Sequence, residues 1–261
     1  MRRSKTLEKI RNGEVVRICG LGHFIPAFVR MAAENDFDCI WLDLEHRAMD
    51  AREIQGLMAF FHLFDIDCVL RPPTLEKSRL YRYLEDGATG LMIPHVSPPE
   101  KAESLVQSVK FPPLGDRGAD GAGMDVEFSL QDVVSYAEEA NRETFLFVQI
   151  ETIEGLNNVD KIAAVEGIDG IFFGPGDLSL RLSHHDDDSL TIDKARQIVA
   201  DACRRHGIAW GQPAPSKELL GQLISQGAQL LVQGSEFFGM LQNLTNARET
   251  FNDSIKNHFP S

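Results

Sequence analysis

Short apolar runs alternate with amphipathic segments along most of the chain. The apolar runs predict buried strands near residues 15–22, 37–43, 67–71, 89–94, 145–151, 169–174, 207–212 and 228–233. The amphipathic segments predict helices at about 25–35, 50–63, 75–86, 98–109, 154–165, 190–206, 216–226 and 236–257, and a further helix at about 129–141. Eight strand–helix units in succession predict an α/β protein with a closed (β/α)8 TIM barrel rather than an open sheet.

One stretch interrupts this alternation. Residues 111–128 are rich in glycine and proline and fit neither a helix nor a strand. Long irregular insertions in compact domains are usually functional or disordered. The 261 residues otherwise match the ~250 residues of one barrel, so a single barrel domain over residues 1–261 is predicted.

The overall charge narrows the class of partner. A net charge of −13 argues against nucleic acid or an anionic membrane as the main partner. No stretch approaches the ~20 apolar residues that a membrane-spanning helix needs, and the basic residues near the amino terminus are not followed by the apolar run of a signal peptide. The four cysteines are scattered, which predicts buried free thiols in a reducing cytoplasm.

Two carboxylates follow successive apolar runs. Glu151 ends the run that begins at Thr144, and Asp177 follows the run that begins at Asp169. Because neighbouring parallel strands lie ~4.8 Å apart, both acids are expected at one edge of the sheet. Carboxylate oxygens bind hard divalent cations, which favours a metal site. Either acid alone could instead cap the helix that follows it.

Other polar residues are predicted at the same rim, where the active sites of such barrels lie. Arg71 ends the third strand and could bind substrate or form an ion pair with Asp43 or Glu45. His46, three residues after Asp43, could form a base-competent dyad with it or be a surface loop residue. His95 ends the fourth strand and is interpreted as structural.

Three further features bear on which reaction the site could catalyse. Gly174-Pro-Gly176-Asp177 is a turn of small residues whose main-chain N–H groups could bind a carboxylate. No lysine is predicted at a strand end, which argues against a Schiff-base mechanism. The run His184-His185-Asp186-Asp187-Asp188 has the composition of a metal cluster, but a solvated charge run is favoured.

Several motifs, in order along the chain, resemble those of the class II pyruvate aldolases. They are Asp43-Leu-Glu45-His46, Arg71-Pro, Phe111-Pro-Pro-x-Gly-x-Arg117-Gly, Gln149-Ile-Glu151-Thr and Gly174-Pro-x-Asp177-Leu-Ser. Over residues 13–235 the chain resembles the hydroxy-oxo-heptanedioate and 2-dehydro-3-deoxyglucarate aldolase family, within the aldolase/citrate-lyase superfamily. The resemblance implies a (β/α)8 barrel that assembles as a hexamer, commonly by exchange of the last helix between subunits.

The resemblance also implies roles for individual residues. Glu151 and Asp177 would bind Mg²⁺, Mn²⁺ or Co²⁺, which pyruvate would chelate. The amides of Gly176 and Asp177 would hold the pyruvate carboxylate. The remaining roles are Arg71 at the enolate oxygen, Gln149 in the pocket, His46 oriented by Asp43 in proton transfer, and Glu85 as an acid contributed by a neighbouring subunit. An arginine and a metal at the ketone oxygen suit the removal of a proton next to it.

The implied activity is that of a lyase, which reversibly cleaves a 4-hydroxy-2-oxo acid into pyruvate and an aldehyde. An oxaloacetate decarboxylase or a carbon–carbon bond-forming synthase would use the same enolate. A catalytically silent barrel, acting in binding or assembly, is a third alternative, which the intact site residues disfavour. The loops Gly211-Gln-Pro-Ala-Pro and Gly234-Ser-Glu236-Phe-Phe depart from the family pattern and leave the aldehyde open.

Overall fold

Eight parallel strands close into a barrel in the computed structural model, which describes residues 1–185 and 189–258. The strands pair in chain order, and β8 pairs with β1. Their bounds are β1 Val16–Leu21, β2 Cys39–Asp43, β3 Asp67–Arg71, β4 Gly90–Ile93, β5 Phe145–Ile150, β6 Gly170–Phe173, β7 Ala209–Pro213 and β8 Leu230–Ser235. The predicted (β/α)8 barrel is confirmed.

Helices connect the strands and surround the barrel. Their bounds are α1 Lys5–Arg11, α2 Pro26–Glu34, α3 Ala51–Leu63, α4 Lys77–Glu85, α5 Pro99–Val109, α6 Val133–Glu143, α7 Ile153–Asn157, α8 Val159–Ala163, α9 Pro175–Leu182, α10 Ile192–His206, α11 Lys217–Ser225 and α12 Glu236–His258. Helices α1 and α9 lie outside the predicted segments. No helix in the described part of the chain is long and apolar enough to cross a membrane.

The single helix predicted at 154–165 is wrong, because this segment forms two short helices, α7 and α8. They divide at Asn158, whose φ of −100° and ψ of 1° depart from the α-helical values. The Asn158 side-chain amide donates to the carbonyl of Ser97 at 3.2 Å, across the α-helical layer. This tertiary hydrogen bond favours the break, and no local pattern in the sequence signals it.

Alternating side chains divide the core into two layers. Along β2, Cys39 and Trp41 belong to the cluster inside the barrel, whereas Ile40 and Leu42 pack outside it against the helices. Large residues fill the interior, among them the stacked pair Phe145 and Phe147 with ring centroids 4.6 Å apart. The four cysteines are buried and free, as predicted.

The irregular segment 111–128 is packed around a buried arginine. Within the segment only Met124–Val126 forms a 3₁₀ turn. The guanidinium of Arg117 donates to the hydroxyl of Tyr136 at 2.8 Å, lies 3.6 Å from the Asp125 carboxylate and stands 4.6 Å from the centroid of the Phe111 ring. The contacts of Arg117, together with turn hydrogen bonds such as that from the Gly115 N–H to the Phe111 carbonyl, hold the segment without a regular helix or strand.

Candidate active site

Polar side chains from several strands converge at the carboxyl-terminal rim of the barrel. In β5 the alternation that turns Phe147 into the barrel also turns Gln149 and then Glu151 inwards. Asp43 and Arg71 are register partners at the ends of β2 and β3, so they lie side by side. The structure thus brings these four residues of the predicted site to one rim.

Arg71 is held in one orientation by three acceptors and an aromatic ring. Its Nε and Nη2 donate to the two oxygens of Asp43 at 3.0 and 2.8 Å. Its Nη1 lies 3.0 Å from Oε2 of Glu45 and donates to Oε1 of Gln149 at 3.3 Å. The guanidinium stands 4.5 Å from the centroid of the Trp41 ring, and the residue is only 7% exposed. A planar cation held on this many sides loses little further freedom when it binds an oxyanion.

The ion pair also keeps Asp43 charged. Burial raises the pKa of Asp43, but the hydrogen bonds and charge of Arg71 outweigh this effect, and the net shift is downward. The main-chain N–H groups of Glu45 and His46 add to the lowering. Asp43 is therefore an ionised anchor for Arg71 rather than a proton donor near neutral pH.

Glu151 is a buried carboxylate with its two oxygens in different surroundings. Oε1 accepts the main-chain N–H of His95 at 2.7 Å. Oε2 lies on the side of Gly174, where an added Cβ would come within 2.6 Å of it. Burial raises the pKa of Glu151, the N–H and the charge of His95 oppose this, and the negative charges of Asp177 and Glu45 add to it. A nearby cation would therefore stabilise the ionised form.

Asp177 lies in the first turn of α9, beside Glu151. The main-chain N–H groups of Gly176 and Asp177 also belong to this turn, where α-helical N–H groups lack intrahelical partners. The Asp177 carboxylate is 44% exposed and accepts from Nη1 of Arg181 at 3.1 Å. The space around Gly176 is open, with no atom within 4 Å of an added Cβ.

The capping alternative for the two acids finds no support in the hydrogen bonds. The N-cap of α7 is Thr152, whose hydroxyl accepts the N–H of Gly155 at 2.9 Å, so Glu151 is left out of the cap. The N-cap of α9 is Gly174, without a side-chain capping bond, and Asp177 pairs with Arg181 instead. Both carboxylates are thus available at the rim.

The two rim histidines differ from their sequence-based interpretation in their contacts. The main-chain N–H of His46 donates to Oδ1 of Asp43 at 3.4 Å, whereas Nε2 of the His46 ring lies 3.5 Å from Oε2 of Glu45. His95 was expected to be structural, yet its Nδ1 lies 3.2 Å from Oε1 of Glu151 and its Nε2 lies 3.7 Å from Oε1 of Glu45. The role of His46 in proton transfer stays a prediction.

Glu85 lies away from the rim of its own barrel. It ends α4, and helices of such barrels run back towards the amino ends of the strands. Burial raises its pKa, which the charge of Arg117 partly offsets and that of Asp125 reinforces. Within one chain Glu85 therefore does not join the other predicted site residues, and a contribution to a neighbouring subunit stays a prediction.

Sequence reasoning gave Trp41 no role, named Glu45 only as one possible ion-pair partner of Arg71, and interpreted His95 as structural without naming a partner. Trp41 supports Arg71 from below, Glu45 pairs with Arg71, and His95 holds Glu151. Trp41 could have been found from the inward alternation of β2, because it lies two residues before Asp43. The contacts of Glu45 and His95 depend on loops after strands, for which the sequence carries no periodic signal.

The oxygen donors fit a hard divalent cation. Over residues 1–185 and 189–258, no group of three or more histidine, cysteine, aspartate or glutamate side chains is arranged to hold a metal ion. Two carboxylates with open space beside them are, however, the donor set that Mg²⁺ uses when water or substrate completes its shell. The run His184–Asp188 was predicted to be a solvated charge run. Its residues Asp186–Asp188 lie outside the described residues.

A solvent-accessible cleft of about 390 Å³ adjoins Trp41 and Asp43, two residues that contact Arg71. It lies among the ends of β1, β2, β7 and β8, and its walls include Arg47, Pro213 and Phe237. The loops that depart from the aldolase pattern after β7 and β8 thus contribute to the walls of a cleft that is bounded by partners of Arg71.

Comparisons with known proteins point to one family. A family model described as HpcH/HpaI aldolase/citrate lyase matches residues 21–242. The chain is 36% identical over 217 residues to a hydroxypyruvate/pyruvate aldolase of Deinococcus radiodurans, covering 82% of this chain and 77% of that protein. It is 30% identical over 230 residues to a 2-keto-3-deoxy-L-rhamnonate aldolase of Escherichia coli O17:K52:H18, covering 87% and 85%. The crystal structure of an HpcH/HpaI aldolase from Desulfitobacterium hafniense DCB-2 matches with a TM-score of 0.87 at 29% identity, covering 94% and 95%.

Proposed function

The chain belongs to the HpcH/HpaI aldolase/citrate lyase family, and from this premise we propose that it is a divalent-metal-dependent aldolase. The reaction is the reversible cleavage of a 4-hydroxy-2-oxo acid into pyruvate and an aldehyde. The observation that carries this proposal is the fixed guanidinium of Arg71 at the same rim as the buried carboxylate of Glu151. A guanidinium can stabilise the negative charge that develops on an enolate oxygen, and a carboxylate can hold a cation that assists it.

The two carboxylates are the proposed metal ligands. Glu151 and Asp177 offer oxygen donors suited to Mg²⁺, Mn²⁺ or Co²⁺, and the raised pKa of Glu151 reflects a buried carboxylate without a full counter-charge. When bound, the cation would supply a Lewis acid for the oxygens of the 2-oxo acid.

The remaining residues bind pyruvate and stabilise its enolate. The free N–H groups of Gly176 and Asp177 at the start of α9 suit the pyruvate carboxylate, since helix N-termini favour anions. The Arg71 guanidinium, aligned by Asp43 and Gln149, would donate to the oxygen on which negative charge develops. His46, exposed beside Glu45, would carry the proton between solvent and the reacting carbon.

The aldehyde half of the substrate is assigned to the cleft beside Arg71. Its walls combine apolar surface from Trp41, Pro213 and Phe237 with the cation of Arg47. Because Trp41 and Asp43 both border this cleft and contact Arg71, an aldehyde bound there would lie next to the residues that hold Arg71. Aldehyde selectivity is therefore expected to respond to changes at Arg47 and Phe237 rather than at Gln149.

A hexamer formed by exchange of the last helix completes the proposal. Helix α12 is 23 residues long, and of its residues only Glu236 is buried. It exposes large apolar side chains, including Phe238 at 69%, Leu244 at 67% and Phe251 at 70%. Several large apolar side chains exposed on one helix favour a protein contact there. In the assembly, Glu85 of one subunit would reach the site of the next. The free cysteines suit a reducing cytoplasm, which is the proposed compartment.

Deuterium exchange into pyruvate tests the proposed function. The metal-stripped protein is incubated with pyruvate in D₂O, with and without Mn²⁺, and the methyl signal is followed by NMR. Exchange is expected only with metal, and is expected to be lost in Glu151→Gln and in Arg71→Ala. Glu154→Gln, which changes an exposed acid in the first turn of α7, is the matched control and should exchange like the unaltered protein. No exchange in the folded, metal-loaded protein would refute the proposal.

A further inference from the structure

The loop after β4 is fastened to the carboxylate of Glu151 through one residue. His95 donates its main-chain N–H to Oε1 of Glu151 at 2.7 Å, and its ring Nδ1 lies 3.2 Å from the same oxygen. Two groups of a single residue thus face one carboxylate oxygen. Oε2 is left on the side of Gly174 and the turn that carries Asp177.

The backbone of His95 is shaped for this contact. Its φ is +53°, in the left-handed region that is disfavoured for a residue with a side chain. Such conformations persist where the surroundings hold them, often at functional sites. Here Nζ of Lys101 donates to the carbonyl of His95 at 2.9 Å, and the N–H of Val96 donates to the carbonyl of Gln149 at 3.2 Å. The peptide group that joins His95 to Val96 is therefore held through both its carbonyl and its N–H.

The far side of the imidazole faces a second carboxylate. Its Nε2 lies 3.7 Å from Oε1 of Glu45, whose other oxygen lies 3.0 Å from Nη1 of Arg71. The ring therefore stands between Glu151 and the carboxylate that pairs with the enolate-binding arginine. A ring in this place limits the rotation of the Glu151 side chain.

We infer that His95 is a positioning residue that engages Oε1 of Glu151 and so presents Oε2 to the divalent cation. The inference rests on the proposed function, since it needs Glu151 to be a metal ligand. The tautomer with its proton on Nδ1 is the one that suits a carboxylate partner, and His95 itself does not bind the metal. Groups that orient ligand side chains typically contribute tenfold to a hundredfold in metal affinity.

Two substitutions of similar shape separate the ring nitrogen from the bulk of the side chain. In His95→Asn the side-chain amide nitrogen takes the place of Nδ1, and asparagine tolerates a positive φ. In His95→Leu the same branch carries no donor. Mn²⁺ affinity is measured for both by calorimetry and by the electron paramagnetic resonance of free Mn²⁺. Thermal melts of the metal-free proteins check that each variant folds, and that leucine, which disfavours the positive φ at this position, costs no more stability than asparagine.

His95→Leu is expected to bind Mn²⁺ about tenfold more weakly than the unaltered protein, and His95→Asn within about twofold of it. If His95→Leu binds Mn²⁺ as tightly as the unaltered protein, the inference is overturned, because the ring then contributes nothing to the site. An equal loss in both variants also overturns it, because Nδ1 is then not the cause. Absence of Mn²⁺ binding in the unaltered protein would instead refute the metal site of the proposed function, and the inference with it.

Discussion

Replacing Gly174 with alanine is expected to disable the site without unfolding the barrel. The new Cβ would lie 2.6 Å from Oε2 and 2.7 Å from Cβ of Glu151. Oε2 ends a rotatable side chain, but the Cβ of Glu151 directly follows β5 and cannot rotate away. Because ordinary van der Waals contact begins near 3.4 Å, the turn and the carboxylate must separate by about 0.7 Å.

The size of the effect follows from this displacement. Misplacement of a reacting group by ~1 Å costs about a hundredfold in rate, equivalent to about 2.7 kcal/mol in the activation free energy. The backbone itself accepts alanine, since φ of Gly174 is −99°. Metal-dependent exchange of the pyruvate methyl protons in D₂O is therefore expected to fall by roughly tenfold to a hundredfold in Gly174→Ala.

Gly221→Ala is the control for the loss of a glycine. It lies in α11 with no atom within 4 Å of the added Cβ, so its exchange rate should equal that of the unaltered protein. If Gly174→Ala folds and exchanges within about threefold of the unaltered protein, the close packing of Gly174 on Glu151 does not set the geometry of the site. A similar fall in Gly221→Ala would show an effect of glycine replacement in general.

Two further predictions concern stability. Because burial raises the pKa of Glu151 above 4.5, the native metal-free protein holds this proton more tightly than the unfolded chain, and its stability should fall as the pH rises from 4.5 through the raised pKa. In urea titrations with a chelator, Glu151→Gln should remove this loss, so its free energy of unfolding should rise relative to that of the unaltered protein over this pH window. If the difference in unfolding free energy between the two proteins is the same at every pH, the raised pKa of Glu151 is contradicted. Gly211→Ala should lower the melting temperature by about 6–12 °C or prevent folding, since its Cβ would lie 1.7 Å from the carbonyl oxygen of Leu230 on the paired strand. If Gly211→Ala has the same melting temperature as Gly221→Ala, the close packing of Gly211 against Leu230 is refuted.

The fold was predictable because its signals are local. Each strand is a short apolar run, each following helix is amphipathic, and eight such units admit few arrangements other than a barrel. Two of the errors involve contacts with distant parts of the chain. Asn158 divides one predicted helix because its side chain reaches Ser97, 61 positions away in the chain, and α1 was missed although Leu7 packs into the barrel interior.

The sequence itself determines which residues lie together at the rim. Strand ends and period-two alternation place Asp43, Arg71, Gln149 and Glu151 at one end of the barrel and turn them inwards. Their pairing was decided by the tertiary structure. Arg71 meets Asp43 across 28 positions and His95 meets Glu151 across 56, and these contacts form only when the barrel closes. Pairing in turn sets which carboxylate is charged and which oxygen remains open, because both depend on neighbours in space rather than along the chain.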